Sequence, residues 1–168
     1  MIHNINQIQH DRPLDSKLAL SLIDKELYPN DVIISNKNFI TRIGNLSDVT
    51  NIIKKLNISF NSIKTLDGID QLPQLKTLLA YSCDINDINN INKNIKLEIL
   101  YLQHNNIHKI IDSFQFLIKL QELRLDHNEI SKIENLMYCV QLKKIDLSYN
   151  NIETISGISF YKLMIMIL

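Results

Sequence analysis

His104 and His127 are the side chains best suited to bind a metal or move a proton, with Asp126 and Tyr149 near them. Imidazole nitrogens ligate zinc, but a zinc site needs three or four donors in a fixed geometry. No third ligand is in evident reach, so polar filling of a surface position is the plainer reading of the pair, and no metal is expected. Cys83 and Cys139, the only two cysteines, stand in no metal-type spacing. A catalytic thiol or hydroxyl needs a base beside it, and no Cys-His or Ser-His constellation is evident. Nor is there a glycine-rich phosphate loop. The carboxylates of Glu122, Asp126 and Asp146 are interleaved with Arg124 and Lys144. Alternating signs suit a solvated recognition surface better than an acid/base pair facing a cleft. The chain is therefore read as not an enzyme, with no catalytic residue, no cofactor and no small-molecule substrate.

Composition narrows the classes further. The chain has 168 residues, 45% hydrophobic and 21% charged, the balance of a globular protein with a workable core. Its 18 basic and 18 acidic residues cancel, so no overall field draws it to nucleic acid or an anionic membrane. Two cysteines without a disulfide-type pattern suit a reducing compartment. The first residues, including Asn4, Asn6, Gln7, Gln9 and His10, lack the apolar run of a signal peptide. The apolar run Leu163 to Leu168 is too short to span a bilayer. These features point to an intracellular, cytoplasmic protein, with nuclear or ciliary placement left open. The 30 Ile and 20 Asn partly reflect codon bias, so position matters more than residue type.

Position is highly ordered, because one pattern recurs from Ile53 onward. The copies are Ile53, Leu56, Ile58, Asn61; Leu75, Leu78, Ala80, Cys83; and Leu97, Leu100, Leu102, Asn105. They continue as Leu120, Leu123, Leu125, Asn128, then Leu142, Ile145, Leu147, Asn150, with starts 22, 22, 23 and 22 residues apart. The second half of each copy carries apolar residues every third position, as in Ile63, Leu66, Ile69 and Leu72. That spacing suits a tight 3₁₀ turn. Each copy is thus a short strand plus an irregular or 3₁₀ return. Asn45, Gly68, Asn90, Asp112, Asn135 and Gly157 mark the same point of successive returns. These residue types tolerate left-handed backbone or bond their own main chain, so turns are expected in phase with the strands. The Asn closing each strand is expected to turn inward and satisfy loop backbone, with Cys83 a structural substitute.

A degenerate copy, Ile33, Asn38, Ile40, Ile43, Leu46 and Val49, precedes the five full ones, and Leu163, Met166 and Leu168 begin a truncated last one. Each repeat must be covered by a neighbour. Residues 14–28 carry Asp15 or Ser16 as an N-cap and Leu18, Leu22 and Ile23 at helical spacing before Pro29. They are read as a short helix covering the N-terminal end. The expected organisation is an arm and capping helix over 1–30, then repeats over 31–168.

The segments Leu56-Asn57-Ile58-Ser59-Phe60-Asn61, Ile145-Asp146-Leu147-Ser148-Tyr149-Asn150 and Ile133-Glu134-Asn135-Leu136 resemble the 22-residue class of leucine-rich repeats. This is the class of the regulatory subunit of protein phosphatase 1 and of axonemal and ciliary relatives. The resemblance covers residues 32–168. It implies an α/β solenoid, right-handed, with a curved parallel sheet on the concave face and 3₁₀ or irregular returns on the convex face. It also implies a protein-docking surface without enzyme activity. Two departures stand out: the chain has no Trp, where that subunit uses aromatic residues including Trp on its concave face, and the usual capping motif is missing.

Strand alternation sends the variable positions to the concave face. Among them Leu79, Tyr81, Ile99 and Tyr101 fall side by side on neighbouring strands, a candidate contact patch. Gln103, Glu122, Arg124, Asp126 and Asp146 extend it as a polar and charged rim. The expected partner is a protein, with a phosphatase catalytic subunit or a cytoskeletal or axonemal protein as the classes the resemblance suggests. Neither direct nucleic-acid contact nor a membrane is expected. The alternatives are a ribonucleoprotein subunit gripping an RNA-binding domain, or a fragment of a longer solenoid.

Overall fold

The computed structural model describes residues 12–23, 28–33 and 40–157. Its strands are β1 (Pro13–Leu14), β2 (Asp31–Ile33), β3 (Arg42–Ile43), β4 (Lys55–Asn57), β5 (Thr77–Leu79) and β6 (Ile99–Tyr101). They continue as β7 (Glu122–Arg124), β8 (Lys132–Ile133), β9 (Lys144–Asp146) and β10 (Thr154–Ile155). One six-stranded parallel sheet runs β2-β4-β5-β6-β7-β9. Its register is unbroken: Lys55 pairs Thr77, Thr77 pairs Ile99, Ile99 pairs Glu122 and Glu122 pairs Lys144. Every coil therefore contributes one strand, and its neighbours supply the missing main-chain partners. This is the curved, parallel leucine-rich-repeat architecture with 3₁₀ turns on the far side.

The alternation within each strand decides what is covered. Leu56, Leu78, Leu100 and Leu123 point inward and are essentially fully buried, as are Ile58, Ala80, Leu102 and Leu125 one step on. Each Leu or Ile so buried contributes about 1.5–3 kcal/mol from removal of apolar surface from water. Opposite them lie the 3₁₀ turns Ser47–Val49, Ile69–Gln71, Ile91–Lys93 and Asp112–Phe116. Their inward residues, such as Ile69, Ile91 and Phe114, close the core from the convex side.

Main-chain polarity inside the coil is satisfied by the asparagine column. Asn105 Nδ2 donates to Ala80 O and Leu102 O, both at 2.9 Å, while its Oδ1 accepts from Ile85 N at 2.9 Å and Cys83 N at 3.1 Å. Asn128 bridges Leu102 O and Leu125 O at 3.0 Å, and Asn150 bridges Leu125 O at 2.8 Å and Leu147 O at 2.9 Å. Where Cys83 interrupts the column, its Sγ lies 3.1 Å from Ile58 O as donor. A second amide was not anticipated. Asn94 takes the fully buried place that Leu72, Leu117 and Cys139 hold in other coils. Its Nδ2 donates to Ile69 O and Leu72 O at 3.0 and 2.8 Å, while its Oδ1 is left without a hydrogen bond.

Three local expectations are corrected. Val32, not Ile33, faces the core in β2 and pairs with Leu56; Ile33 is half exposed. The degenerate copy is thus one residue longer between its strand and its return. Gly68, Asn90, Asn135 and Gly157 are left-handed, at φ of 92°, 68°, 62° and 57°. Asn45 takes the other expected form, its side chain accepting from Ser47 N at 3.0 Å, whereas Asp112 is not left-handed and opens the turn that follows. In the N-terminal helix α1 (Ser16–Leu22), Asp15 is the N-cap and accepts from Leu18 N at 2.8 Å. Ala19 and Ser16 are its buried residues, whereas Leu22 is exposed. Ser16 ties the helix to the first coil through Asn45 O, by main chain at 2.8 Å and by Oγ at 3.1 Å. The truncated last copy at Leu163, Met166 and Leu168 lies outside the described residues, as does most of the arm. No helix among the described residues is long and apolar enough to cross a membrane.

Candidate functional site

Outward-facing positions on two consecutive strands make one continuous patch. Leu79 of β5 is the direct partner of Tyr101 of β6, and Ile99 sits beside Thr77. Tyr81 follows two residues after Leu79, its N–H 3.3 Å from Ser59 Oγ and its ring edge-on to Phe60 with centroids 5.1 Å apart. Leu79, Tyr81, Ile99 and Tyr101 are all partly exposed. They share the face that alternation assigned to them, neither in the core nor on separate surfaces.

On the next two strands the patch becomes an ordered charge network. Tyr101 Oη donates to Glu122 Oε2 at 2.8 Å, and Lys144 Nζ donates to Glu122 Oε1 at 2.8 Å. Arg124 holds Asp126 with both ends of its guanidinium, Nε to Oδ1 at 3.0 Å and Nη2 to Oδ2 at 2.9 Å. Its Nη2 also lies 3.8 Å from Asp146 Oδ2, and its Cζ lies 6.0 Å from the centre of the Tyr101 ring. The couplings set the ionisation states. The hydrogen bond to Glu122, with burial second, pushes the Tyr101 phenol above its ordinary value. Lys144, then Tyr101, holds Glu122 below the usual carboxylate range. Burial opposes charge on Asp146, but the Ser148 hydroxyl and amide, together with Arg124, outweigh it and keep it low.

Two candidate residues differ from expectation. Gln103 and Asp126 are buried, at 7% and 3% exposure. Asp126 therefore acts as the anchor that fixes Arg124, and it is Arg124, Glu122 and Asp146 that reach solvent. A depression of about 180 Å³ lined by Tyr101, Glu122, Arg124, Lys144 and Asp146 lies among them. That is smaller than the ~300–1,000 Å³ of a typical small-molecule pocket. The arrangement suits side chains of a partner better than a free ligand.

A rim of rings borders this face and was only half legible. Phe60, Ser82, His104, His127 and Tyr149 share one offset, and all have left-handed backbone, φ between 53° and 59°. Each N–H continues the sheet ladder: Phe60 to Tyr81 O, Ser82 to Gln103 O, His104 to Asp126 O and His127 to Ser148 O, at 2.9–3.1 Å. The rings consequently stack. His104 and His127 lie 4.2 Å apart at 14°, and His127 and Tyr149 4.1 Å apart at 10°. The in-phase histidines hinted at this; the unusual backbone had no sequence signal, since Phe and Tyr rarely adopt it.

Asp126 does come within reach of the histidine pair, the donor atoms of all three lying within 4.8 Å of one another. Two features set the cluster against coordination. Stacked, near-parallel rings keep their in-plane lone pairs in separate planes instead of converging on one ion, and both Asp126 oxygens are engaged by Arg124.

Comparison with known proteins agrees with this architecture. A model described as Leucine Rich Repeat matches residues 96–117, and one described as Leucine Rich repeats (2 copies) matches residues 118–161. Fibromodulin of Bos taurus is 39% identical over 67 residues, 38% of this chain and 18% of that protein. A putative leucine-rich repeat protein of Acanthamoeba polyphaga mimivirus is 32% identical over 123 residues, 64% of this chain and 29% of that protein. The chain thus spans less than a third of either curated relative. Among solved structures, an internalin of Listeria monocytogenes superposes with a TM-score of 0.62 at 23% identity, covering 77% of this chain and 41% of that one. At that identity the likeness speaks for the fold alone.

Proposed function

Starting from a leucine-rich-repeat solenoid, we propose that this chain is a non-catalytic scaffold that holds a protein partner on its concave face. The observation that carries the reading is the meeting of Leu79, Tyr81, Ile99 and Tyr101 on adjoining strands, next to the pinned charges of Glu122, Arg124 and Asp146. Half-exposed aromatic and aliphatic side chains in a fixed backbone supply binding energy at low cost in lost freedom, and tyrosine is enriched among interface residues that dominate affinity. The charge network adds direction: Arg124 is oriented by two carboxylates, so a partner meets a fixed cation and not a mobile one.

The partner class follows only from the resemblance of the strand and return motifs, which favours a phosphatase catalytic subunit or a cytoskeletal or axonemal protein. We place the chain in the cytoplasm on the support of its two cysteines, Cys83 and Cys139, which are buried and stand in no disulfide-type spacing. Affinity capture from the native cell followed by mass spectrometry tests both points. Wild-type bait is expected to retain one dominant partner, and the Tyr81→Ala/Tyr101→Ala bait to lose it with an unchanged circular-dichroism spectrum. Retention of the same partner by the double variant refutes the placement of the patch.

A further inference from the structure

Thirteen large apolar side chains stand exposed among the described residues, and six of them, Ile95, Phe116, Ile118, Met137, Tyr138 and Val140, fall in three consecutive returns. None belongs to the concave face. Phase brings them together: Ile95, Ile118 and Val140 each lie four residues before Ile99, Glu122 and Lys144, which pair directly across β6, β7 and β9. Phe116 and Tyr138 share a second offset, six residues before Glu122 and Lys144. The flank is locked in register by Gln121 N to Glu98 O and Lys143 N to Gln121 O, both at 2.8 Å. All six are about half exposed or more, Val140 reaching 70%. The repeat template does not require this, because the first and second full copies carry Asn51 and Pro73 where Ile95, Ile118 and Val140 stand. Scattered exposed apolar residues need no explanation, but a ladder over three coils does.

Charge on this flank is mostly of one sign. In matching register, residues 90–98, 113–121 and 135–143 contain Lys93, Lys96, Lys119 and Lys143 against one carboxylate, Glu98, which Lys76 holds at 2.8 Å. Lys93 reaches Asp70 of the preceding return at 3.4 Å, a weak exposed pair. Lys96 and Lys143 donate only to the neutral Gln74 and Gln121. The geometry has a natural match. Adjacent coils repeat at about 4.8 Å in the sheet direction, and an α-helix advances ~5.4 Å per turn. A helix laid along the stacking axis therefore presents one apolar residue per coil.

We propose that this flank is a second docking surface, separate from the concave face, and that it takes an acidic amphipathic helix of a partner protein. The helix sets its apolar stripe on Ile95, Ile118 and Val140 and its carboxylates against the lysines. A bilayer surface is the poorer fit, because the chain as a whole carries no net charge and the patch lines up with a helix repeat.

The test uses the full chain and a labelled helical peptide with leucines three and four residues apart, flanked by glutamates. A second peptide has lysines in place of the glutamates, and vesicles of phosphatidylcholine and phosphatidylserine form a third arm. Fluorescence anisotropy is expected to show binding of the acidic peptide only, weakening as salt rises. Ile118→Asp/Val140→Asp should weaken it about tenfold or more, and Tyr81→Ala/Tyr101→Ala should leave it unchanged. Lys119→Glu provides the same comparison if the aspartate pair compromises folding. Equal binding of the lysine peptide overturns the proposal. So does binding indifferent to Ile118→Asp/Val140→Asp and to Lys119→Glu, or no binding up to about 1 mM. Vesicle binding in place of peptide binding overturns it in favour of a membrane. Because the concave face is scored separately, failure here leaves the first surface standing, and the converse also holds.

Discussion

Replacing Asn105 with Ala removes one side chain but strands four main-chain groups. Its Oδ1 serves the amides of Cys83 and Ile85, and its Nδ2 serves the carbonyls of Ala80 and Leu102, all between 2.9 and 3.1 Å. The site is 6% exposed, so bulk water does not replace these bonds freely. At a net ~1 kcal/mol per hydrogen bond the loss sums to about 4 kcal/mol. A single water entering the vacated space, itself capable of two to four bonds, recovers part of it. The expected cost is therefore about 2–4 kcal/mol, which for a chain of this size lowers the melting temperature by roughly 4–15 °C. Urea unfolding followed by far-ultraviolet circular dichroism gives the stability, and hydrogen exchange locates it. Exchange at the Cys83 and Ile85 amides should accelerate beyond the global change. Asn106→Ala, at the exposed neighbouring position, is the control and should stay within about 0.5 kcal/mol of wild type. If the two variants are equally stable, the asparagine column is not what satisfies the interior of the coil.

Two further outcomes concern ionisable groups. Burial, the dominant influence, pushes the Cys83 thiol up to about 11. Iodoacetamide at pH 8 should leave it unmodified in the native chain and label it in urea, as read by intact mass; equal rates in both states contradict the assigned environment. In the Tyr101–Glu122–Lys144 network, Glu122 has a depressed folded value, so its stabilising contribution is complete above the ordinary carboxylate range and fades as pH falls through the depressed value. Tyr101 is raised instead, mainly by its bond to Glu122, so Glu122→Gln should let one tyrosine ionise at lower pH in an alkaline absorbance titration. Adding Tyr101→Phe to that variant should remove the shifted component.

Most of the fold was legible because the solenoid writes its geometry into the sequence once per coil. Leu56, Leu78, Leu100 and Leu123 repeat at the pairing interval, so strand register and inward face follow from spacing alone. The same alternation placed Leu79, Tyr81, Ile99 and Tyr101 on the outer face. What spacing does not carry is the conformation of residues between strand and return. The left-handed Phe60, His104 and His127 are held by inter-coil hydrogen bonds, a tertiary cause that overrides the local preference of aromatic residues. Burial of Gln103 and Asp126 was likewise hidden, since a polar residue at an outward position looks exposed until neighbouring coils close around it. Ile33 misled for a different reason. In the run Val32-Ile33 either residue fits an apolar strand position, and only pairing with Leu56 decides between them.

The column that runs through Phe60, Ser82, His104 and His127 sets the direction of its side chains through main-chain bonds between coils, whatever the residue type. Identity at these sites is thereby uncoupled from architecture: phenylalanine, serine and histidine already occupy equivalent places without altering the coil. Substitution there can change what the edge of the molecule recognises at the cost of a ring contact and not of the coil itself.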